Sequence, residues 1–170
     1  FIVDLQTFDD LWTRTASNAN FAFRVESVTH SSDPQRVLRL MDLRTGEQRE
    51  IARAHVASGN DISNVYDISP DGEFVIYETS GSYNLYDPKM PLGRRCTVHL
   101  QSMSDPTQTI ELGDYIRYGK SSYGELSLTS IQFKGDIVRI ARKNQGVTTL
   151  VEVNLETGVV RPGVPSGWTR

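Results

Sequence analysis

A chain of 170 residues, 38 % of them hydrophobic and 23 % charged, has the composition of an ordinary globular protein and can bury roughly two-thirds of its unfolded surface. Its formal charge of −3 offers no basic footprint for nucleic acid or for an anionic membrane, and without a run of eighteen apolar residues no helix is expected to span a bilayer. The one cysteine, Cys96, excludes an internal disulfide and a zinc site built on cysteines.

The length suits one domain, or a piece of a larger protein. The chain begins at Phe1, with no Met and no signal-like segment, which points to processing or to excision from a longer chain. No Asn-x-Ser/Thr sequon occurs.

Taken in chain order, the elements read as strands. "NFAFRVESV" (20–28) alternates Phe21, Phe23 and Val25 with smaller or polar neighbours, and "RVLRLMDL" (36–43) is apolar with interspersed arginines. "EFVIYET" (73–79), "CTVHLQSM" (96–103), "TQTIEL" (107–112), "LTSIQF" (128–133), "DIVRIAR" (136–142) and "TTLVEVNL" (148–155) follow. All are rich in β-branched and aromatic residues, which fit a pleated, half-buried surface. The breaks carry turn chemistry: Ser-Asp-Pro, Arg-Thr-Gly, Pro-Asp-Gly, Asp-Pro, Lys-Gly-Asp, Asn-Gln-Gly and Glu-Thr-Gly. Only "TFDDLWTRTA" and "EQREIARAHVA" allow short helices, and neither sustains the i, i+3, i+4 pattern. The expected class is all-β and antiparallel.

The clearest turn is Ser69-Pro70-Asp71-Gly72. Pro70 sets φ near −65° for the first corner, and Gly72 accepts positive φ at little cost. Tyr66 and Ile68 before it, with Phe74 and Ile76 after it, predict a hairpin with one buried face.

A repeat is also legible. "VLRLMDLRTGEQREI" (37–51) and "LVEVNLETGVVRPG" (150–163) share an apolar strand, Leu-x-Thr-Gly, and a second short strand with an arginine. Leu43 and Leu155 are 112 positions apart (155 − 43), two steps of 56, and Leu100 lies one residue from the midpoint. The unit predicted is four short strands. The reading is a single all-β domain of about three and a half units: a half unit at 1–14, then units at 15–53, 62–112 and 126–163.

"YDISPDGEFVIYET" and "MDLRTGEQREI" resemble the hairpins of WD40-like β-propeller repeats, as in TolB-type periplasmic proteins and in the propellers of prolyl-oligopeptidase-like peptidases. The resemblance covers about 120 residues on short motifs, and only the second unit has the whole Ser-Pro-Asp-Gly. It implies a β-propeller, and it leans towards a periplasmic or secreted location. Closed propellers use four to eight blades, so three and a half imply a partial ring, or one completed by a protein partner or a second copy. A β-sandwich is the alternative fold.

Candidate chemistry is sparse. His30, His55 and His99 show no metal spacing, and His99 reads as a strand-face residue. There is no Gly-x-Ser-x-Gly elbow and no Walker or dinucleotide glycine pattern. Cys96 beside Arg94 and Arg95 reads as a strand-start cysteine, the thiolate being the alternative. Asn60, Asp61, Asn64 and Asp67 are clustered oxygen donors without the spacing of an EF-hand, and read as a solvated connection. No catalytic residue, metal or cofactor is expected.

Two long loops look most like binding surfaces. "GDYIRYGKSSYGEL" (113–126) carries Tyr115, Arg117, Tyr118, Lys120 and Tyr123; "SYNLYDPKMPLGRR" (82–95) carries Tyr83, Tyr86, Arg94 and Arg95. Tyrosine and arginine give rigid contact area at interfaces, and the same mix can stack on a sugar. The expected function is a non-catalytic module that binds a protein or glycan through inter-blade loops, with no nucleic acid and no membrane insertion. The alternatives are the propeller segment of a larger hydrolase whose catalytic domain lies outside these residues, and a structural piece of an assembly.

Overall fold

A computed structural model describes residues 12–14, 18, 20–30, 33–83, 93–118, 127–144 and 147–163. They form twelve strands in three antiparallel four-stranded sheets, each a simple meander. The first holds β1 (Thr13–Arg14), β2 (Phe21–His30), β3 (Asp33–Asp42) and β4 (Gln48–His55). The second holds β5 (Asp61–Ile68), β6 (Phe74–Tyr83), β7 (Gly93–Ser102) and β8 (Thr109–Tyr118). The third holds β9 (Ser127–Lys134), β10 (Ile137–Asn144), β11 (Val147–Asn154) and β12 (Val160–Pro162). The all-β class is thus as the alternation implied. No α-helix occurs among the described residues. The segment "EQREIARAHVA", where a helix was conceivable, is β4 followed by a 3-10 turn at Val56–Ser58. Pairing of Arg39 with Glu50 and of Leu40 with Arg49 against β3 wins over weak helix periodicity.

One backbone bond recurs in every sheet. The residue just after the third strand donates its amide to the carbonyl just before the second: Leu43 to Asn20 at 2.8 Å, Met103 to Glu73 at 2.7 Å and Leu155 to Asp136 at 2.7 Å. The residue before each donor closes the outer hairpin, Asp42 on Glu47, Ser102 on Gln108 and Asn154 on Val159. The counterpart of Leu43 and Leu155 is therefore Met103, not Leu100. The intervals are uneven, 60 positions from Leu43 to Met103 and 52 from Met103 to Leu155, mainly because nine residues separate β6 from β7 where two separate β2 from β3 and β10 from β11. In the two Leu-x-Thr-Gly turns, Gly46 (φ 75°) and Gly158 (φ 70°) adopt the left-handed conformation that a residue with a Cβ resists.

The chain divides into two compact units, Phe1–Tyr83 with Arg95–Gly113, and Asn84–Arg94 with Asp114–Arg170. In the first unit, Phe21, Leu38, Leu40, Ile51 and Ala54 of the first sheet cluster with Ile62, Val65, Ile68, Val75, Tyr77 and Met103 of the second. Each fully buried side chain there contributes about 1.5–3 kcal/mol. The Ser69–Gly72 turn joins this packing. Gly72 donates to the Ser69 carbonyl at 2.9 Å, the Asp71 carboxylate receives Ser69 Oγ and the Glu73 amide, and Gly72 has φ 76°, as the turn chemistry required. Buried Asn18 clamps the turn, its amide donating to the carbonyls of Ser69 (2.5 Å) and Pro70 (2.9 Å).

The hairpin after that turn differs from the expected one-sided burial. Ile68, Val75 and Ile76 are all fully buried, and so is Glu78, so β6 is covered on both faces, as the unbroken Val75-Ile76-Tyr77 run fits. The Glu78 carboxylate accepts from Ser63 Oγ at 2.5 Å and Tyr66 OH at 2.6 Å, which offsets its desolvation.

On its opposite face the first sheet carries a charge ladder. Glu26 receives Arg24 (2.9 Å) and Arg39, and Glu50 receives Arg53 at 2.6 Å; Arg24 also lies 4.7 Å over the Trp12 ring. In the second unit, Val138, Ile140, Val151 and Val153 are buried in the third sheet, and the largely buried Glu152 is held by Arg139 at 2.9 Å and Arg161 at 3.6 Å.

Candidate functional site

Within the first unit, a cavity of about 650 Å³ opens between the end of β4 and one face of the second sheet. Its floor follows from strand alternation. Tyr77, Thr79 and Gly81 on β6, Thr97 and His99 on β7, and Thr109 and Glu111 on β8 all border it. Thr79 Oγ1 lies 2.8 Å from His99 Nε2. The Tyr77 hydroxyl donates to Gln101 Oε1 at 2.9 Å, and Gln101 Nε2 donates to the Ile51 carbonyl at 2.9 Å. That last bond ties the floor to the first sheet. The Tyr77 and His99 rings stack at 5.1 Å and 29°.

The facing wall is Arg53, Ala54 and His55 of β4, with Asn60 after the 3-10 turn. Arg53 and His55 each already have a carboxylate partner. Arg53 makes a two-pronged contact with Glu50 at 2.8 and 2.6 Å, and His55 Nδ1 sits 2.8 Å from Asp33. These partners hold both carboxyls below their ordinary values, Glu50 through Arg53 and Asp33 through His55 and then Gln35. His99 is shifted the other way for a base. Burial disfavours its charged form and lowers its pKa below 6.5, with Glu111 opposing the shift. Asn60 Oδ1 lies 3.0 Å from where a Cβ on Gly81 would stand, so glycine keeps that rim open. Ser80 also borders the cavity, and its buried hydroxyl has no hydrogen-bond partner among the described residues.

Of the residues singled out in the sequence, Arg95 borders this cavity, exposed at the start of β7, and Arg94 beside it is exposed. Tyr115, Arg117 and Tyr118 belong to β8 and Tyr83 ends β6, so the first long loop is half strand. Gly113, read as a break, takes φ 143° and lets the strand run on. The side chains of these four, and the whole of Tyr86, Lys120 and Tyr123, lie outside the described residues. The oxygen-donor cluster is also strand rather than connection from Asp61 onward. Asp61 pairs with Arg36 at 3.1 Å, and Asp67 accepts the Ile68 amide at 2.9 Å. Among the described residues no group of three or more His, Cys, Asp or Glu is placed to hold a metal. Cys96 is fully buried, away from the exposure a reactive thiolate needs.

The cavity residues missed in the sequence were Arg53, Tyr77, Thr79, Thr97, Thr109 and Glu111, while His55, Asn60 and His99 were considered there only for metal binding or as strand and connection residues. The signal was present as polar side chains at every second position of three successive strands. No protein-family model matches the chain, and no curated protein matches its sequence.

Proposed function

We propose that the three sheets are successive blades of a β-propeller type, and that the chain is a non-catalytic binding module which takes a protein or glycan partner at the cavity between its first two sheets. The blade reading is supported by the amide-to-carbonyl bond repeated in all three sheets. Three blades fall short of a closed ring, so the proposal includes completion by further blades. The observation that carries the binding reading is the cavity itself. Its volume of about 650 Å³ lies within the range of roughly 300–1,000 Å³ for small-molecule sites, and its floor is polar where a sheet face packed on a neighbour is ordinarily apolar.

The test is a thermal-shift screen of small polar ligands and short peptides against the wild-type chain and Thr97→Val, which removes one floor hydroxyl while keeping its shape. Ligands that stabilise the wild type and lose most of that effect in the variant support the reading. Stabilisation untouched by Thr97→Val, or the lack of any stabilising ligand, overturns it.

A further inference from the structure

The wall chemistry selects a ligand class, on the reading that the cavity is the binding site. The charges around it balance. Of the residues that line it, Arg53 is held by Glu50, and the second sheet supplies one residue of each sign, Arg95 and Glu111. His99 adds no charge at neutral pH, because burial keeps its imidazole deprotonated there. An ionic ligand would give up its hydration without meeting a surplus of the opposite charge.

An apolar ligand suits the cavity no better. It would take water from the hydroxyls of Thr97 and Thr109 without giving them a hydrogen-bond partner in exchange, which is unfavourable. The groups present favour a neutral molecule that donates and accepts at closely spaced points. Threonine hydroxyls do both, as sugar hydroxyls do. Glu111, Arg95 and Asn60 end in planar two-atom groups that match neighbouring hydroxyls in pairs. The half-buried His99 ring, backed by the buried Tyr77 ring stacked on it, provides a flat surface beside them. An extended peptide, by contrast, is captured by main-chain bonds at a sheet edge, whereas this floor is the face of a sheet. From the balanced walls, the hydroxyl-lined floor and the ring pair, we infer that the cavity binds a neutral mono- or disaccharide unit.

The test is calorimetric titration of the chain with maltose, cellobiose, lactose and N,N′-diacetylchitobiose, and separately with inorganic phosphate. It is repeated on Thr97→Val and Glu111→Gln after circular dichroism shows native strand content. At least one of the four sugars is expected to bind, and each variant to weaken it about fivefold or more, the loss of one hydrogen bond. Sugar binding unchanged in both variants overturns the inference, as does phosphate binding with no sugar binding. If no sugar binds while the thermal-shift screen still finds ligands sensitive to Thr97→Val, the inference fails and the binding reading stands. If that screen also finds none, both fail.

Discussion

Replacing Gly72 with Ala probes the joint between the first two sheets. A Cβ there would stand 2.2 Å from Phe21 Cε2 and 2.4 Å from Cζ, against about 3.5–4.0 Å for carbon atoms in contact. Phe21 is only 4 % exposed, so its ring moves only by disturbing the core cluster. Such overpacking costs about 1–3 kcal/mol. The backbone adds a second cost, because φ 76° disfavours an L side chain by about 1–2 kcal/mol. Together they give about 2–5 kcal/mol. Gly46 is the control. Its φ is 75°, yet nothing lies within 4 Å of where a Cβ would stand, so Gly46→Ala carries the backbone cost alone, about 1–2 kcal/mol. Urea denaturation of the two variants reads the difference as the steric part. In a Phe21→Leu background that part should shrink, giving a coupling of about 1 kcal/mol or more. Equal destabilisation by the two substitutions would refute the packing of the Ser69–Gly72 turn against β2.

Other consequences follow from single contacts. Asn18→Ala should cost about 1–3 kcal/mol in urea denaturation, since the Pro70 carbonyl loses the Asn18 donor and the Ser69 carbonyl keeps only the Gly72 amide; a loss below a few tenths would show that the clamp is absent in solution. Arg139→Met leaves the Glu152 carboxylate largely buried with only the longer Arg161 contact and should cost about 3 kcal/mol, while Arg139→Met with Glu152→Leu should recover most of it; a double variant as unstable as the single one would contradict this. The lowered pKa of His99 means that the native state binds fewer protons there than the unfolded chain. Its contribution is therefore complete above pH 6.5 and is lost as pH falls through the folded value. The urea midpoint of the wild type should drop between about pH 7.5 and 5.5 by more than that of His99→Gln. Asp42 does not confuse this window, because Arg44 holds it at about 2. Equal drops in the two proteins would refute the assignment.

The fold class was legible because strand length, β-branched content and turn residues agreed along the chain. The Ser-Pro-Asp-Gly turn was readable to the level of the left-handed Gly72. What resisted reading had physical reasons. The segment at β4 mixes Glu, Arg and Ala, good helix formers, and becomes a strand only because β3 offers it an edge. Gly113 looked like a break because glycine so often is one, yet its extended positive φ keeps β8 going. The repeat interval was hidden by the long stretch before β7, nine residues between β6 and β7 against two between β2 and β3 and two between β10 and β11, which puts the middle counterpart at Met103. For the site, aromatic loops drew attention by composition, whereas the cavity is assembled from ordinary threonines. Their common face shows only after the strands are placed side by side. Arg95 links the two readings, named for its place in a long loop and found at the cavity rim.

The most direct measurement is an amide NMR map of the chain titrated with the strongest ligand from the thermal-shift screen. A binding module of this design predicts shifts centred on Thr79, Thr97, His99, Thr109 and Glu111, with weaker ones at Arg53 and Asn60. Shifts centred elsewhere, as over the exposed Val147, Val159 and Val160 of the third sheet, would contradict the claim that this protein binds through the cavity between its first two sheets.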